Sequence, residues 1–269
     1  MNSKVVLITG GSSGIGKSVG LYLKEKGFTV YGTTRRLNMH SGFSAFELLE
    51  MDVTDVHTIQ RAVARVTEKE GRLDVLINNA GIGITGPIEE TPHEEILNVF
   101  DTNFNGPLHM VKAVLPQMRK QKGGLIINIT SIAGYMGLPY RGVYSATKGA
   151  IGLITEALRM EVKDFGVHIT NLAPGDFATN IASGRYHSPV HEDSPYKTPY
   201  SNTLELINEG VHDGEDPILV ARTVLKIINT KKPKVHYKVG TFMQKFSLLL
   251  KKALPDKVYE KLLLNHYKL

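Results

Sequence analysis

Lys4-Val-Val-Leu-Ile-Thr-Gly-Gly-Ser-Ser-Gly-Ile-Gly16 decides the fold. Val5 to Ile8 are four apolar residues in a row, the pattern of a short strand covered on both faces. A glycine–serine turn follows at once. From Ile15 to Lys26 the apolar residues Val19, Leu21 and Leu23 take helical spacing, and Gly27 stands where a helix ends in the left-handed conformation. A glycine turn between strand and helix lets backbone come close to a phosphate, whose charge is met by the free N–H groups of the helix N-terminus. Gly10, Gly14 and Gly16 are the positions expected to exclude a side chain, with Ser12, Ser13 and Ile15 completing the cradle.

Outward from this unit the same alternation repeats. Strands are expected over Phe28 to Thr33, Phe46 to Met51, Leu73 to Asn78, Leu125 to Thr130, Val167 to Ala173 and Lys234 to Val239. Helices are expected over Val56 to Glu70, Pro92 to Arg119, Tyr144 to Asp164 and Pro217 to Asn229, with Gly71 and Gly166 as stops. Strands separated by helix-length crossovers predict an α/β fold, a doubly wound parallel sheet with helices on both faces. Two stretches break the rhythm. Asp176 to Asp216 is polar and rich in proline and tyrosine, and predicts a long irregular substrate lid. Gly240 to Leu269 has the apolar spacing of an amphipathic helical tail among lysines, and predicts docking on the sheet or on a partner subunit in preference to a membrane.

Composition narrows the classes. The 269 residues carry 32 Lys+Arg against 26 Asp+Glu, a formal charge of +6, with 42% hydrophobic and 22% charged residues, as in a folded globular chain. There is no cysteine, hence no disulfide, thiol nucleophile or thiolate metal site, and no metal centre is expected. The missing disulfides point to a reducing compartment, and a cytoplasmic location is expected. The opening apolar run is too short for a secretion signal, and no stretch approaches the ~18 apolar residues of a membrane span. The modest, dispersed positive charge gives no case for nucleic acid.

Cofactor choice is legible at the end of the second strand. Gly32-Thr-Thr-Arg-Arg36 has no acid to hold ribose hydroxyls; Arg35 and Arg36, with the Thr34 hydroxyl, suit a 2′-phosphate, which favours NADP(H) over NAD(H). Asp52, followed by Val53, is placed to accept from an adenine amino group or else to cap the following turn. Asn79-Ala-Gly81, after Asn78, forms the floor of the same crevice.

The reacting groups lie further on. Tyr144 and Lys148 are one helical turn apart, on one face. A phenol is a poor base at neutral pH, and a cation beside it favours the phenolate, which makes such a pair a usable proton carrier. Ser131, thirteen positions before Tyr144, follows a buried strand where the sheet opens, and its hydroxyl suits a substrate carbonyl oxygen. Asn103 is a poor helix former inside a long helix. It reads either as a kink that frees a carbonyl for a water near Lys148, or as a buried, satisfied core amide.

Taken together these segments resemble the short-chain dehydrogenase/reductase family, in its single-domain subgroup. Thr9 to Gly16 is similar to its Thr-Gly-x-x-x-Gly-x-Gly, Asn78 to Gly81 to its Asn-Asn-Ala-Gly, and Ser131, Tyr144 and Lys148 to its Ser…Tyr-x-x-x-Lys set. Pro174-Gly175 with Thr179 resembles its nicotinamide clamp, where Phe177 would also lie; Asp176 departs from the apolar or small residue usual there. The resemblance implies a Rossmann-type sheet and hydride transfer between NADP(H) and a carbonyl or secondary alcohol. In that chemistry Tyr144 is acid or base, Ser131 orients the substrate, Lys148 tunes Tyr144 and binds ribose, and Asn103 keeps a relay water. It also implies a homodimer, or a tetramer. Gly32 to Arg36 and Tyr237-Lys-Val-Gly240 are similar to steroid, retinol and lipid-carbonyl reductases, so a fairly apolar substrate is expected. The competing readings are an NAD-dependent alcohol dehydrogenase of the same fold, a cofactor-binding regulator without turnover, and a sugar-nucleotide epimerase, which normally needs a longer chain.

Overall fold

The computed structural model describes residues 3–178, 184–212 and 214–269. The chain opens with β1 (Val5–Ile8), α1 (Gly14–Glu25), β2 (Thr29–Thr34), β3 (Glu47–Glu50), α2 (Val56–Glu70) and β4 (Val75–Asn78). A two-residue strand β5 (Ile84–Thr85) precedes α3 (His93–Phe100) and α4 (Gly106–Lys120), then β6 (Gly124–Ile129), α5 (Gly142–Glu161) and β7 (Val167–Pro174). The seven-stranded sheet is completed by the last strand, and its order is defined by parallel pairings throughout: β3-β2-β1-β4-β6-β7, with the strand His236–Val239 at the edge beside β7.

Helices cover both faces. Ile59 and Val66 of α2 pack with Met110, Val114 and Met118 of α4 on one side. Val19 and Leu23 of α1 pack on the other with Val220, Val224 and Ile227 of a later helix. The local signals explain these elements. Asp55 caps α2 by accepting the N–H groups of His57 and Thr58, and Gly71 ends it at φ 71°. The strand order reverses between β1 and β4, so the loops after them part and open a crevice at the carboxyl edge of a Rossmann-type sheet.

A row of buried amides crosses the sheet near that edge. Asn78, Asn128 and Asn171 are register neighbours on β4, β6 and β7. Asn78 Nδ2 donates to Asn128 Oδ1 at 2.8 Å, Asn128 Nδ2 donates to Thr155 Oγ1 at 2.8 Å, and Thr155 Oγ1 lies 2.7 Å from Asn171 Oδ1.

Three expectations are corrected. The single helix over Pro92 to Arg119 is interrupted by a π-turn at Asp101–Asn105, around Asn103. The polar stretch from Asp176 to Asp216 is not irregular throughout. It contains β8 (Tyr186–His187), paired with β5, and the 16-residue α6 (Lys197–His212). Tyr200, Thr203 and Ile207 are buried along one helical face, which the proline content obscured; Pro199 falls in the first turn, where a missing N–H costs nothing. The tail is two helices, not one. After α7 (Ile218–Ile228) and β9 (His236–Val239) come α8 (Phe242–Ala253), opened by a Thr241/Gln244 capping box, and α9 (Asp256–Tyr267). Leu248, Tyr259 and Ala173 pack with Ile132 and Met136, so the tail's inner face does dock on the core. Among the described residues no helix is long and apolar enough to cross a membrane.

Candidate active site

One crevice of about 600 Å³ runs from the end of β2 past β1 and β4 to α5. Its first part is the glycine turn. Gly10 and Gly14 have φ of 65° and 50°, which side chains resist, and a Cβ at Gly16 would collide with the Gly10 carbonyl. The turn is tied to β4 from both sides. Buried Thr9 Oγ1 accepts the N–H groups of Asn79 and Ala80, each at 2.9 Å, and Asn79 Nδ2 donates to the carbonyls of Thr9 and Gly10 at 2.9 and 3.2 Å. Ser12, Ser13, Gly14, Ile15, Asn79, Ala80 and Gly81 line the crevice; Gly16 lies behind the turn and holds its shape. A turn held in this shape by its glycines, open at the N-terminus of α1, fits the pyrophosphate of a dinucleotide.

Thr34, Arg35 and Arg36 line the far end. The carboxylate in register with Thr34 is Glu50, and it accepts the Leu37 N–H at 3.4 Å instead of lining the crevice. Positive charge therefore dominates where a ribose would lie. Asp52 and Val53 also line this wall, and both alternatives for Asp52 bear on it: its Oδ1 is used by the Thr54 N–H at 2.9 Å and hydroxyl at 2.8 Å, a turn cap within the crevice wall.

The structure brings Ser131, Tyr144 and Lys148 to the same wall, at the opposite end. Ser131 starts the turn after β6 and accepts the Ala133 N–H on Oγ at 3.1 Å, which leaves its O–H to donate. Gly134 lets that turn rest on α5: a Cβ there would be 2.9 Å from the Lys148 carbonyl carbon. Lys148 Nζ donates to the Ile129 carbonyl at 3.1 Å and is 5.8 Å from the centre of the Tyr144 ring. Asn103 does not line the crevice. Its Oδ1 accepts the Ile82 N–H at 2.9 Å, and its Nδ2 donates to the Ile82 carbonyl at 2.8 Å and to Thr147 Oγ1 at 3.3 Å. Its side chain is thus the satisfied core amide, and the helix around it is interrupted by the π-turn.

Pro174, Gly175 and Phe177 close the floor. Thr179 lies outside the described residues. Asp176, the departure from the usual motif, has a structural partner: its Oδ2 accepts from Gln244 Nε2 of α8 at 2.8 Å. Three residues here escaped sequence reasoning. Arg141, at the N-cap of α5, places its guanidinium 5.6 Å from the Tyr144 ring centre, a second cation on the same phenol. Arg185 lines the crevice, and burial, then the like charge of Arg141, pushes its guanidinium down from its ordinary range. Tyr267 of α9 is buried near Arg141 and Asp176, and burial pushes its phenol up. The spacing Arg141–Tyr144 was a usable signal; nothing local ties Tyr267 to a site more than a hundred residues away.

A dinucleotide cradle and a Ser/Tyr/Lys wall in one crevice make this an oxidoreductase of the NAD(P)(H)-dependent kind, acting on carbonyl or alcohol groups. The chain belongs to the short-chain dehydrogenase/reductase family, whose short chain dehydrogenase model matches residues 4–189, and is related within it to steroid and lipid-carbonyl reductases. It is 39% identical over 261 residues to a 3-ketodihydrosphingosine reductase of Bacteroides thetaiotaomicron, covering 97% of this chain and 96% of that one. It is 31% identical to human 17-beta-hydroxysteroid dehydrogenase type 1, covering 95% and 82%. A short-chain dehydrogenase of Streptomyces avermitilis superposes with a TM-score of 0.85 at 31% identity, covering 99% and 97%.

Proposed function

We propose that the protein reduces a ketone borne by an apolar, lipid-like molecule, and oxidises the matching alcohol in reverse, using NADP(H) and Tyr144 as proton carrier. The observation that carries this reading is the shared crevice, with Arg35 and Arg36 at one end and Tyr144, Lys148 and Ser131 at the other. Ile82, Ile84 and Phe177 give the reacting end apolar walls, and the two relatives bear the names of lipid reductase and dehydrogenase activities.

A bound nicotinamide supplies or accepts the hydride. The rest is done by this chain. Arg35 holds the 2′-phosphate, and the N–H groups of the glycine turn hold the pyrophosphate. Ser131 donates its free O–H to the substrate oxygen and fixes the carbonyl beside Tyr144. In reduction the Tyr144 O–H gives its proton to that oxygen; in oxidation it takes the proton back. Lys148 retains two N–H donors beyond the Ile129 bond, enough for ribose hydroxyls, while its charge and that of Arg141 stabilise negative charge on the phenol oxygen. Asn103 acts through the π-turn, in this reading by offering a backbone carbonyl there to a relay water below Lys148. The active form in this reading is a homodimer, in which exposed Leu97 of α3 and Leu153 and Met160 of α5 become covered.

The test is a panel of lipid and small ketones with NADPH and NADH, followed by loss of reduced-cofactor absorbance. Turnover of a lipid ketone with NADPH is expected. Tight NADPH binding without oxidation by any ketone would make the protein a cofactor-binding regulator instead. Light scattering is expected to give twice the chain mass.

A further inference from the structure

The tail shows two faces, and only one is used. Leu248, Tyr259 and Tyr267 turn inward and are buried. The outward side of α8 is apolar: Phe242, Phe246 and Leu249 follow an i, i+4, i+7 spacing that places them on one helical face, with Phe242 74% and Leu249 59% exposed. The Phe242 and Phe246 rings stack at 5.7 Å, forming a continuous surface. Met243 extends it at 68% exposure. On α9, Val258 and Leu262 repeat the pattern at i, i+4. Among the described residues, eight of the eighteen exposed large apolar side chains fall in the last 28 residues, which is far above an even spread.

The charge beside this surface has one sign. Residues 240–269 hold six lysines and two acids, most of the chain's formal excess of +6. Lys245 and Lys252 flank the Phe242–Phe246–Leu249 stripe on the same side by helical spacing. Among the described residues only Lys251 of the tail lysines is ion-paired, with Asp256 at 3.0 Å. A second copy is a poor occupant, because a two-fold contact on this face would set these lysine rows against each other. An anionic lipid surface satisfies both features at once, taking apolar side chains below the headgroups and ammonium groups among them.

We propose that the outward face of α8 docks on an anionic phospholipid surface through Phe242, Phe246 and Leu249, with Lys245 and Lys252 at the headgroups. The inner side of the same helix reaches the crevice. Gln244 bonds Asp176, and a Cβ at Gly175 would run into the Gln244 side chain, so α8 rests directly on the crevice floor. Docking therefore brings the Gly175–Asp176 side of the crevice close to the lipid surface. That consequence rests on the reading of the crevice as a substrate site, whereas the docking itself does not, and the test below reads docking without turnover.

The full chain is floated with phosphatidylcholine vesicles, with and without about a quarter phosphatidylglycerol. Recovery with anionic vesicles is expected, with little on phosphatidylcholine alone, and release at about 0.5 M salt, where screening is nearly complete. Phe242→Ser/Phe246→Ser/Leu249→Ser is expected to lower the partition coefficient at least about tenfold, and Lys245→Glu/Lys252→Glu to lower it by about fivefold per lysine or more. NADPH titration is expected to be unchanged in both, which reads the fold. The proposal is overturned if wild type stays with the soluble fraction on anionic vesicles, or if the serine variant floats as wild type does. It is equally overturned if light scattering shows the serine variant at half the wild-type mass, which would make the stripe a contact between copies.

Discussion

The two ends of the crevice are built in opposite ways. At the cofactor end, Gly10, Gly14, Thr34 and Arg35 all lie within 26 residues of chain, on one strand–helix–strand unit, and Thr9 and Asn79 lock that unit to β4. The substrate end draws Ser131, Arg141 and Tyr144 from one segment, Asp176 and Arg185 from another, and Gln244 and Tyr267 from the tail. A local motif sets the first. The second exists only after long-range packing, and it is where relatives on the same fold can diverge in substrate without disturbing cofactor binding.

If this division holds, changes at each end separate binding from turnover. The largest effect is expected for Tyr144→Phe: a fall in kcat of about 10²-fold or more with NADPH affinity intact, read by steady-state rates beside a fluorescence titration. A variant keeping most of its rate would move the proton source elsewhere. Lys148→Met breaks the division by design, because Lys148 serves both ends, and it is expected to lower kcat and cofactor affinity together. Arg35→Ala is next, weakening NADPH by about 1.5–3 kcal/mol while sparing NADH, since only the former carries the 2′-phosphate. Equal losses for both cofactors would remove the guanidinium from that role.

Smaller effects sharpen the substrate end. Tyr267→Ala is expected to raise KM for ketone about tenfold and leave the NADPH titration unchanged. A change in NADPH affinity alone would place the tail at the wrong end. The Asp176–Gln244 bond is expected to show a coupling of about 1 kcal/mol in a double-mutant cycle of thermal unfolding, the usual worth of such a hydrogen bond. Additive single changes would reduce that contact to proximity.

The same division governed what was legible. The sheet was readable because its central strands are near-continuous apolar runs and Gly27, Gly71 and Gly166 mark helix ends. The residues that line the cofactor end announce themselves by spacing within one unit. Tyr200 did not, since a helix carrying Pro199 and few apolar residues shows its buried face only when β5 offers Thr85 as a partner, at 3.0 Å to the carbonyl. Asp176 looked like a charge intruding on a conserved-type motif until Gln244, 68 residues on, supplied its donor. Tyr267 and Arg185 have no local pattern because their environment is assembled from four separate stretches of chain. The tail's amphipathic spacing was clear, but which of its two faces would be buried depended on where β9 delivered it.

The amide row through Asn78, Asn128 and Asn171 has a consequence for assembly. Apolar parallel strands slide past one another with little to choose between registers, since valine against isoleucine reads much like isoleucine against leucine. A slip of one residue along β6 would displace Ser131 by about 3.3 Å and separate Asn128 from both its neighbours, stranding amides at about 1–3 kcal/mol each. The row acts as a set of alignment pins for the strands. It makes every misregistered sheet pay in desolvated polar groups, and so delivers the loops after β4, β6 and β7 to the same height.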